Sequence, residues 1–367
     1  MEEHRLPTVL GQRVEKTEKN KFGYVDVNLN ELKIDSPVVL CFGGSGVVEK
    51  TSSNGFAKFV FNLLHTNPKN TDLKVYSLTY GSEDKFPMDG TLTYKEVQTL
   101  VHSIFVPLVS KNGEKIDVLE AQKNMRNITI VSHCFGMAVS NIISSLTADE
   151  MLKLGYKNSE IRDILKEVTN ISYAPLKANV TPLFSTIDFY SMQDRYKKSY
   201  SSLQTHLLKD RFATTIFNEK DNHLSVVAKS FVGSFEKDAN PFDEHSLGII
   251  RRTENWKSYP KEHFDAFYPE EQKYLLKKYK TLDNIFSRTE TISECFSFCL
   301  AESISSSYAT KNTNKLVEVD FEKINNNINY FIDIQEKAEE KNGLRKRTKT
   351  ITSSPQKHKQ KNGMEFC

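Results

Sequence analysis

The fold of this 367-residue chain is predicted most directly from one stretch, Ile128-Thr129-Ile130-Val131-Ser132-His133-Cys134-Phe135-Gly136-Met137. Its first four residues form a β-branched, apolar run that is typical of a buried strand. Two small residues, Ser132 and Gly136, flank the centre of the stretch, as expected where a sharp turn brings two backbones close together. The spacing of apolar residues then predicts a helix over Met137–Leu146. The stretch therefore predicts a strand, a tight turn centred on Cys134 and a helix.

Strands and helices alternate on both sides of this stretch. Further strands are predicted at Phe22–Val27, Pro37–Phe42, Leu73–Tyr80, Ile171–Ala174, Thr186–Ser191 and Phe212–Phe217, the last of these being the last clear strand. Further helices are predicted at Phe56–Leu64, Lys95–Val109, Glu150–Val168, Glu270–Tyr279, Ile292–Ser307 and Phe321–Lys341. This alternation predicts an α/β fold with a mostly parallel sheet and helices on both faces.

Composition divides the chain into four parts. Residues 1–36 form a polar extension, residues 37–259 hold the predicted α/β core, and residues 260–341 are predicted to form helices that pack on the core or build a cap. Residues 343–367 are too poor in apolar residues to fold alone, which predicts a disordered tail. From Lys341 onward there are eight basic residues and one acidic, whereas the other 340 residues include 42 basic and 46 acidic. The basic tail is therefore expected to contact acidic partners, and the mildly acidic core argues against specific nucleic-acid binding.

Several classes of protein are disfavoured by the sequence. No run approaches the roughly 18–20 consecutive apolar residues that span a bilayer, so no transmembrane segment is expected. The charged N-terminus lacks the apolar part of a secretory signal. The five cysteines, an odd number without disulfide-scaffold spacing, indicate a reducing compartment, and we expect a cytoplasmic protein. The Lys- and Asn-rich composition also resembles that of effectors that AT-rich bacteria deliver into host cells, which is the alternative location.

The stretch around Cys134 resembles the nucleophile elbow of the α/β-hydrolase fold, in which a strand, a sharp turn and a helix expose the nucleophile. The usual elbow has Gly first and Ser at its centre, whereas this chain has Ser132 and Cys134. Cysteine at the centre is similar to the thiol-nucleophile members of the fold, such as the dienelactone hydrolases. The resemblance implies that Cys134 is the nucleophile, activated by the N-terminus of the following helix. A buried structural cysteine is the other interpretation.

The Gly-rich loop Phe42-Gly43-Gly44-Ser45-Gly46 follows an earlier predicted strand. In α/β-hydrolases the oxyanion is held by the N–H after the nucleophile and by an N–H from a loop in this place. The resemblance therefore implies that Gly43, Gly44 and Phe135 form an oxyanion hole. A phosphate-binding loop is the competing interpretation, but the glycine spacing fits neither the Walker pattern nor the dinucleotide fingerprint.

The resemblance also implies that an acid follows the nucleophile in the chain. Asp194 comes just after the predicted strand Thr186–Ser191, where the fold normally has its acid. Asp221 follows the predicted strand Phe212–Phe217, and the residues after it are similar to the acid loop of many lipases. Asp194 is favoured, and Asp221 remains the alternative.

The third member of the expected triad is a histidine. His245, in Asp243-Glu244-His245-Ser246-Leu247, is similar to the His loop of lipases and esterases. His223 is the alternative base, but it is only two residues from Asp221. The two are too close for both to serve as triad members at separate strand ends.

The predicted function is that of a cysteine-dependent hydrolase or acyltransferase. It would act on an ester, thioester or amide of a small molecule or other acylated substrate through a covalent acyl-enzyme. No metal and no organic cofactor is expected. A non-catalytic binding protein of the same fold, with Cys134 as a degenerate nucleophile, is the alternative.

Overall fold

We describe a computed structural model of the chain. The description covers residues 10–16, 22–44, 56–58, 60–61, 64, 73–79, 94–175, 182–192, 194, 213–228 and 321–341. Nine strands form one sheet: β1 (Leu10–Lys16), β2 (Phe22–Val27), β3 (Val38–Phe42), β4 (Lys74–Thr79), β7 (Ile128–His133), β8 (Thr169–Tyr173), β9 (Ser185–Ser191), β10 (Ala213–Asn218) and β11 (His223–Ala228). Their order is β10-β11-β9-β8-β7-β3-β4-β1-β2. Two short strands, β5 (Ser110–Lys111) and β6 (Glu114–Lys115), form a separate hairpin.

The centre of the large sheet is parallel and its margins are antiparallel. Strands β4, β3, β7, β8, β9 and β11 all run in one direction, while β1 and β10 run against their neighbours. The six parallel strands therefore end along one common side, which we call the carboxyl edge. In parallel sheets, functional side chains gather at this edge.

Helices lie on both sides of the sheet. They are α1 (Tyr94–Leu100, continuing through a π-helical turn at Val101–Phe105 into Val106–Val109), α2 (Val118–Met125), α3 (Gly136–Lys153), α4 (Asn158–Leu165) and α5 (Phe321–Lys341). Residues 56–58, 60, 61 and 64 are also helical. Short 3₁₀ turns occupy Leu29–Glu31 and Glu219–Asp221.

Alternate residues of the strands contribute to two separate hydrophobic cores, one on each face of the sheet. Val38, Leu40 and Phe42 of β3 pack with helices α1 to α4, on what we call the α3 face. Val39 and Cys41 pack on the opposite α5 face, with the helical residues around 56–64 and with α5. A strand that is apolar at every position is therefore explained by burial on both sides.

Helix α5 is joined to the sheet by contacts that lie far apart in the sequence. The rings of Phe217 on β10 and Phe321 are stacked with centroids 6.4 Å apart. The Thr215 hydroxyl donates a hydrogen bond of 2.6 Å to Asn329 Oδ1. The predicted helix Phe321–Lys341 is thus confirmed, and it packs on the core.

The predicted α/β class with a mostly parallel sheet and helices on both faces is confirmed, and most predicted elements are present. A single helix over Glu150–Val168 is wrong, because α3 ends at Lys153 and Gly155, at φ 88°, turns the chain before α4 begins. The expectation that Phe212–Phe217 is the last strand is also wrong, since β11 follows it and its residues 224–227 are a strand rather than an acid loop. The predicted helices at 270–279 and 292–307 and the predicted tail lie outside the described residues.

Candidate active site around Cys134

Cys134 lies between the end of β7 and the start of α3, at the carboxyl edge. Its φ of 55° is in the left-handed region, which a residue with a Cβ rarely adopts. Its N–H donates to the carbonyl of Tyr173 at 3.1 Å, so the bonding between β7 and β8 continues into the turn. The strain, of order 1–3 kcal/mol, is held in place by the surrounding structure.

Gly136 allows the helix to start directly against the neighbouring strand. A Cβ at this position would collide with the carbonyl oxygen of Phe42 and would lie 2.9 Å from that of Gly43. Both are backbone atoms, which cannot rotate away. The requirement for a small residue at 136 is therefore a matter of helix-to-strand approach.

The loop after β3 lies beside the Cys134 thiol. A Cβ on Gly44 would be 2.9 Å from Cys134 Cβ and 3.3 Å from its Sγ. The same point is 3.3 Å from His133 Nδ1, so the thiol, the imidazole and the glycine backbone share one small space. Gly43 and Gly44 are thus brought to Cys134, as is Phe135, which follows it in the chain as the N-cap residue of α3.

The surroundings of Cys134 differ from those of Cys41, the other cysteine among the described residues. Cys134 is 3% exposed and precedes an 18-residue helix, whose N-terminal dipole stabilises a nearby anion. Cys41 is fully buried within β3, and burial raises the pKa of its thiol far above the usual value. The Cys134 thiol thus lies at a strand-to-helix turn, whereas the Cys41 thiol lies inside a strand.

His133 packs on the α5 face of the sheet. Its ring centroid is 5.9 Å from that of Phe56 and 6.1 Å from that of Tyr173, both in tilted contacts. The aromatic neighbours fix the orientation of the imidazole next to Gly44.

Asp194, the favoured acid, lies at the same edge of the sheet as Cys134. It follows β9, two strands from β7, and is fully buried, with its N–H donating to the Ser191 carbonyl at 3.2 Å. His245, the favoured base, lies outside the described residues. The complete triad of Cys134, His245 and Asp194 therefore stays a prediction.

The alternative base His223 and the alternative acid Asp221 are not brought to Cys134. His223 begins β11, and the strand register places it level with Ile130, three strands away. At the usual strand spacing and rise it lies roughly 14 Å across the sheet and roughly 13 Å along it from Cys134. Asp221 precedes His223 in the 3₁₀ turn at the same amino end of β11. Neither residue contacts Cys134, because both lie at the opposite edge of the sheet.

The structure instead places His223 in contact with a carboxylate that was not predicted from the sequence as a site residue. Its Nε2 lies 2.8 Å from Oδ2 of Asp188, in the middle of β9. Asp188 is 1% exposed and also accepts hydrogen bonds from the hydroxyls of Ser172 and Tyr190, the latter at 3.0 Å. Four residues from three strands thus form one polar cluster. The only signal in the sequence was a charged residue inside a predicted strand, Thr186–Ser191.

This polar cluster shifts the protonation of its members. Burial lowers the pKa of His223, but the hydrogen bond and charge of Asp188, with a contribution from Asp221, outweigh it, and the pKa is raised. Burial and then the charge of Asp188 raise the pKa of Tyr190 well above its usual value. Both raised pKa values favour the protonated forms of His223 and Tyr190, which are hydrogen-bond partners of Asp188.

No protein-family model matches the sequence, and no curated protein shows significant similarity to it. Among the helices that the structure describes, none is both long and apolar enough to cross a membrane. Within the same part of the chain, no group of three or more His, Cys, Asp or Glu side chains is arranged to hold a metal ion.

Proposed function

We propose that the chain is a cysteine-dependent hydrolase or acyltransferase of the α/β-hydrolase type, with Cys134 as its nucleophile. The observation that carries the proposal is the left-handed backbone of Cys134 at a strand-to-helix turn. A non-glycine residue in this conformation is retained only where the structure enforces it, and such positions are concentrated at active sites.

Two further features support the proposal. The elbow of an α/β-hydrolase places its nucleophile between a parallel strand and a helix, and the oxyanion loop follows an earlier strand. Here Gly43 and Gly44 follow β3, the strand next to β7, and Gly44 lies against the thiol. A side chain at 44 would crowd the thiol, since even its Cβ would lie 3.3 Å from Sγ.

The chemistry would be acyl transfer through a thioester. The Cys134 thiol gives its proton to His245, which Asp194 orients, and the thiolate forms an S–C bond with the carbonyl carbon of an ester, thioester or amide. The backbone amides of the Gly43–Gly44 loop and of Phe135 stabilise the oxyanion. The bond to the alcohol, thiol or amine then breaks, and that group leaves with the proton. Water or an acceptor alcohol or amine releases the acyl group and regenerates the thiol.

The test is acylation of the intact protein by p-nitrophenyl acetate, followed by mass spectrometry of the whole chain and of its peptides. One acetyl group is expected on Cys134, and Cys134→Ala is expected to abolish it. Cys41→Ala is the matched control, because it removes the neighbouring buried thiol and should leave the adduct unchanged.

The same assay separates the proposed base from its alternative. His245→Gln should slow acylation by about 100-fold or more, the scale of general-base catalysis, whereas His223→Gln should leave the rate unchanged. Acetylation spread evenly over the five cysteines, or none on Cys134, would contradict catalysis. The result would favour the non-catalytic binding protein.

A further inference from the structure

The α3 face of the sheet changes character from one half to the other. In strand register, one row of this face runs Leu78, Phe42, Ser132, Ser172, Asp188 and Ser225. The next row runs Tyr76, Leu40, Ile130, Asn170, Thr186 and His223. Both rows are mainly apolar up to β7 and polar from β8 onward. Buried polar groups are unfavourable for stability unless they are hydrogen-bonded, and here Ser132, Ser172 and Thr186 each donate a hydrogen bond.

Asp188 accepts hydrogen bonds from its neighbours. As a carboxylate it has only acceptors, so Ser172, Tyr190 and His223 must each donate to it. The contact through Nε2 therefore fixes the tautomer of neutral His223, with its hydrogen on Nε2 and a lone pair on Nδ1.

The cluster is not a Ser-His-Asp triad, although it contains all three residue types. Ser225 Oγ lies 3.4 Å from Nε2 of His223, the same nitrogen that Asp188 contacts. In a triad the hydroxyl and the carboxylate contact opposite nitrogens. The proton-accepting nitrogen here is Nδ1, and no described residue is hydrogen-bonded to it. The side chain of His223 is 26% exposed, so part of its ring faces solvent.

Charge decides which ligand this nitrogen favours. With His223 neutral, the cluster carries the negative charge of Asp188, and Asp221 adds a second negative charge close enough to act on His223. Glu219 and Lys220 beside them are exposed and opposite in sign. Since the hydrogens of Ser172, Tyr190 and His223 point to Asp188, the histidine offers a lone pair in a negative field.

We propose that this cluster binds the ammonium group of an amine ligand, with His223 Nδ1 as hydrogen-bond acceptor and Asp188 and Asp221 supplying the attraction. A small amine and a lysine side chain both supply such an ammonium group, and the chemistry that recognises them is the same. The site is separate from Cys134, because His223 lies roughly 14 Å across the sheet and roughly 13 Å along it from that residue, and it does not rest on the proposed acyl chemistry.

The test is an NMR titration of the full chain labelled with ¹⁵N-histidine, at a pH above the one at which the His223 ring is seen to lose its proton and below roughly 10.4, where an alkylammonium ion keeps its proton. Before titration, the His223 ring should show the tautomer with hydrogen on Nε2. Butylammonium should then shift the Nδ1 resonance saturably, in the millimolar range typical of so small a ligand. Butanol and butyrate are the matched neutral and anionic probes, and neither should produce this shift.

Two variants locate the binding. His223→Phe keeps a ring but removes Nδ1, and should weaken butylammonium binding at least 10-fold by calorimetry. Asp221→Asn removes one charge with little change in shape, and should weaken it by a smaller factor. Nα-acetyl-lysine methylamide distinguishes the sources: tighter binding than butylammonium assigns a peptide lysine, and weaker binding assigns a small amine.

Three results would overturn the proposal. The first is that neither amine shifts the His223 resonances. The second is that butanol shifts them as much as butylammonium does, and the third is that His223→Phe binds butylammonium unchanged. The probe comparison needs no variant, so it remains decisive even if His223→Phe fails to fold.

Discussion

The elbow at Cys134 and the polar cluster around Asp188 are two unfavourable arrangements that one sheet maintains by different means. At the elbow the unfavourable element is backbone conformation, and the closest contacts are made to glycines. In the polar cluster the backbone is ordinary strand, and the unfavourable element is a buried carboxylate with three donors. The elbow therefore depends on positions that have no side chain, whereas the polar cluster depends on the hydrogen-bonding groups of its side chains.

The two features are encoded differently in the sequence. The elbow is local, since a few consecutive residues and one glycine loop build it. The polar cluster is assembled across β8, β9 and β11 from single residues that carry no motif. Substitutions should therefore affect the elbow through shape and the cluster through hydrogen bonding.

The largest effect is expected for Asp188→Ala, which leaves the donors of Ser172, Tyr190 and His223 without their acceptor. The free energy of unfolding should fall by about 3–5 kcal/mol, the scale of breaking a buried pair. Urea unfolding measures it. Asp163→Ala is the control, because this half-exposed aspartate pairs only with Lys166 at 3.0 Å and should change stability by less than about 1 kcal/mol. Equal losses in the two variants would show that the cluster is not a special element of stability.

The next largest effect is expected for Gly136→Ala. This change should destabilise the protein, although alanine has a higher helix propensity than glycine. Alanine inside a helix normally stabilises by about 1 kcal/mol relative to glycine. Here its Cβ meets the Phe42 and Gly43 carbonyls, and we expect a loss of about 2–3 kcal/mol. Ala138→Gly, two residues on, reports propensity alone and should lose about 1 kcal/mol. A gain in melting temperature for Gly136→Ala would refute the close approach of helix and strand.

A smaller effect, a difference of about 2 kcal/mol between two variants, is expected when Cys41 and Cys134, the two cysteines in the described part of the chain, are each replaced by glycine. Cys41→Gly loses a buried side chain in a regular strand and should destabilise by about 2–3 kcal/mol. Cys134→Gly loses a similar side chain but relieves the left-handed backbone, so the two terms should nearly cancel. Parallel thermal melts would measure a difference of about 2 kcal/mol. Similar losses in both variants would mean that Cys134 stores no strain.

The smallest effect is a pH dependence that comes from the polar cluster. Because the folded pKa of His223 is raised above the unfolded value of 6.5, protonation stabilises the fold. That stabilisation is complete below the unfolded pKa and is lost as the pH rises through the folded one. Unfolding free energies across this window should fall in the wild type more than in His223→Gln. A steeper fall in the variant would reverse the assigned direction.

Sequence predicted the elbow because its constraints are local. Residues 132–136 carry the turn and the following helix, and the Gly43–Gly44 loop could be placed beside Cys134 by resemblance. The sheet was predicted less completely. Strand β1 is mostly polar, with Gln12-Arg13 and Glu15-Lys16 in consecutive pairs and no apolar alternation. Residues 224–227 resembled a loop, although pairing with β9 makes them a strand. The Asp188 cluster could not be predicted, because only the register of three strands brings Ser172 and His223 to the same carboxylate.

The stacking of Phe321 on Phe217 has a consequence for how the protein is made. Helix α5 completes one side of the sheet, yet the ribosome synthesises it long after β10 has emerged. Until then the apolar cluster that contains Ala213, Leu224 and Val226 lacks the side chains that α5 contributes to it, which are Phe321, Ile324, Ile328 and Ile332. Until residue 341 has left the ribosome, this cluster is therefore incomplete, and partly assembled apolar clusters of this kind favour aggregation and chaperone binding.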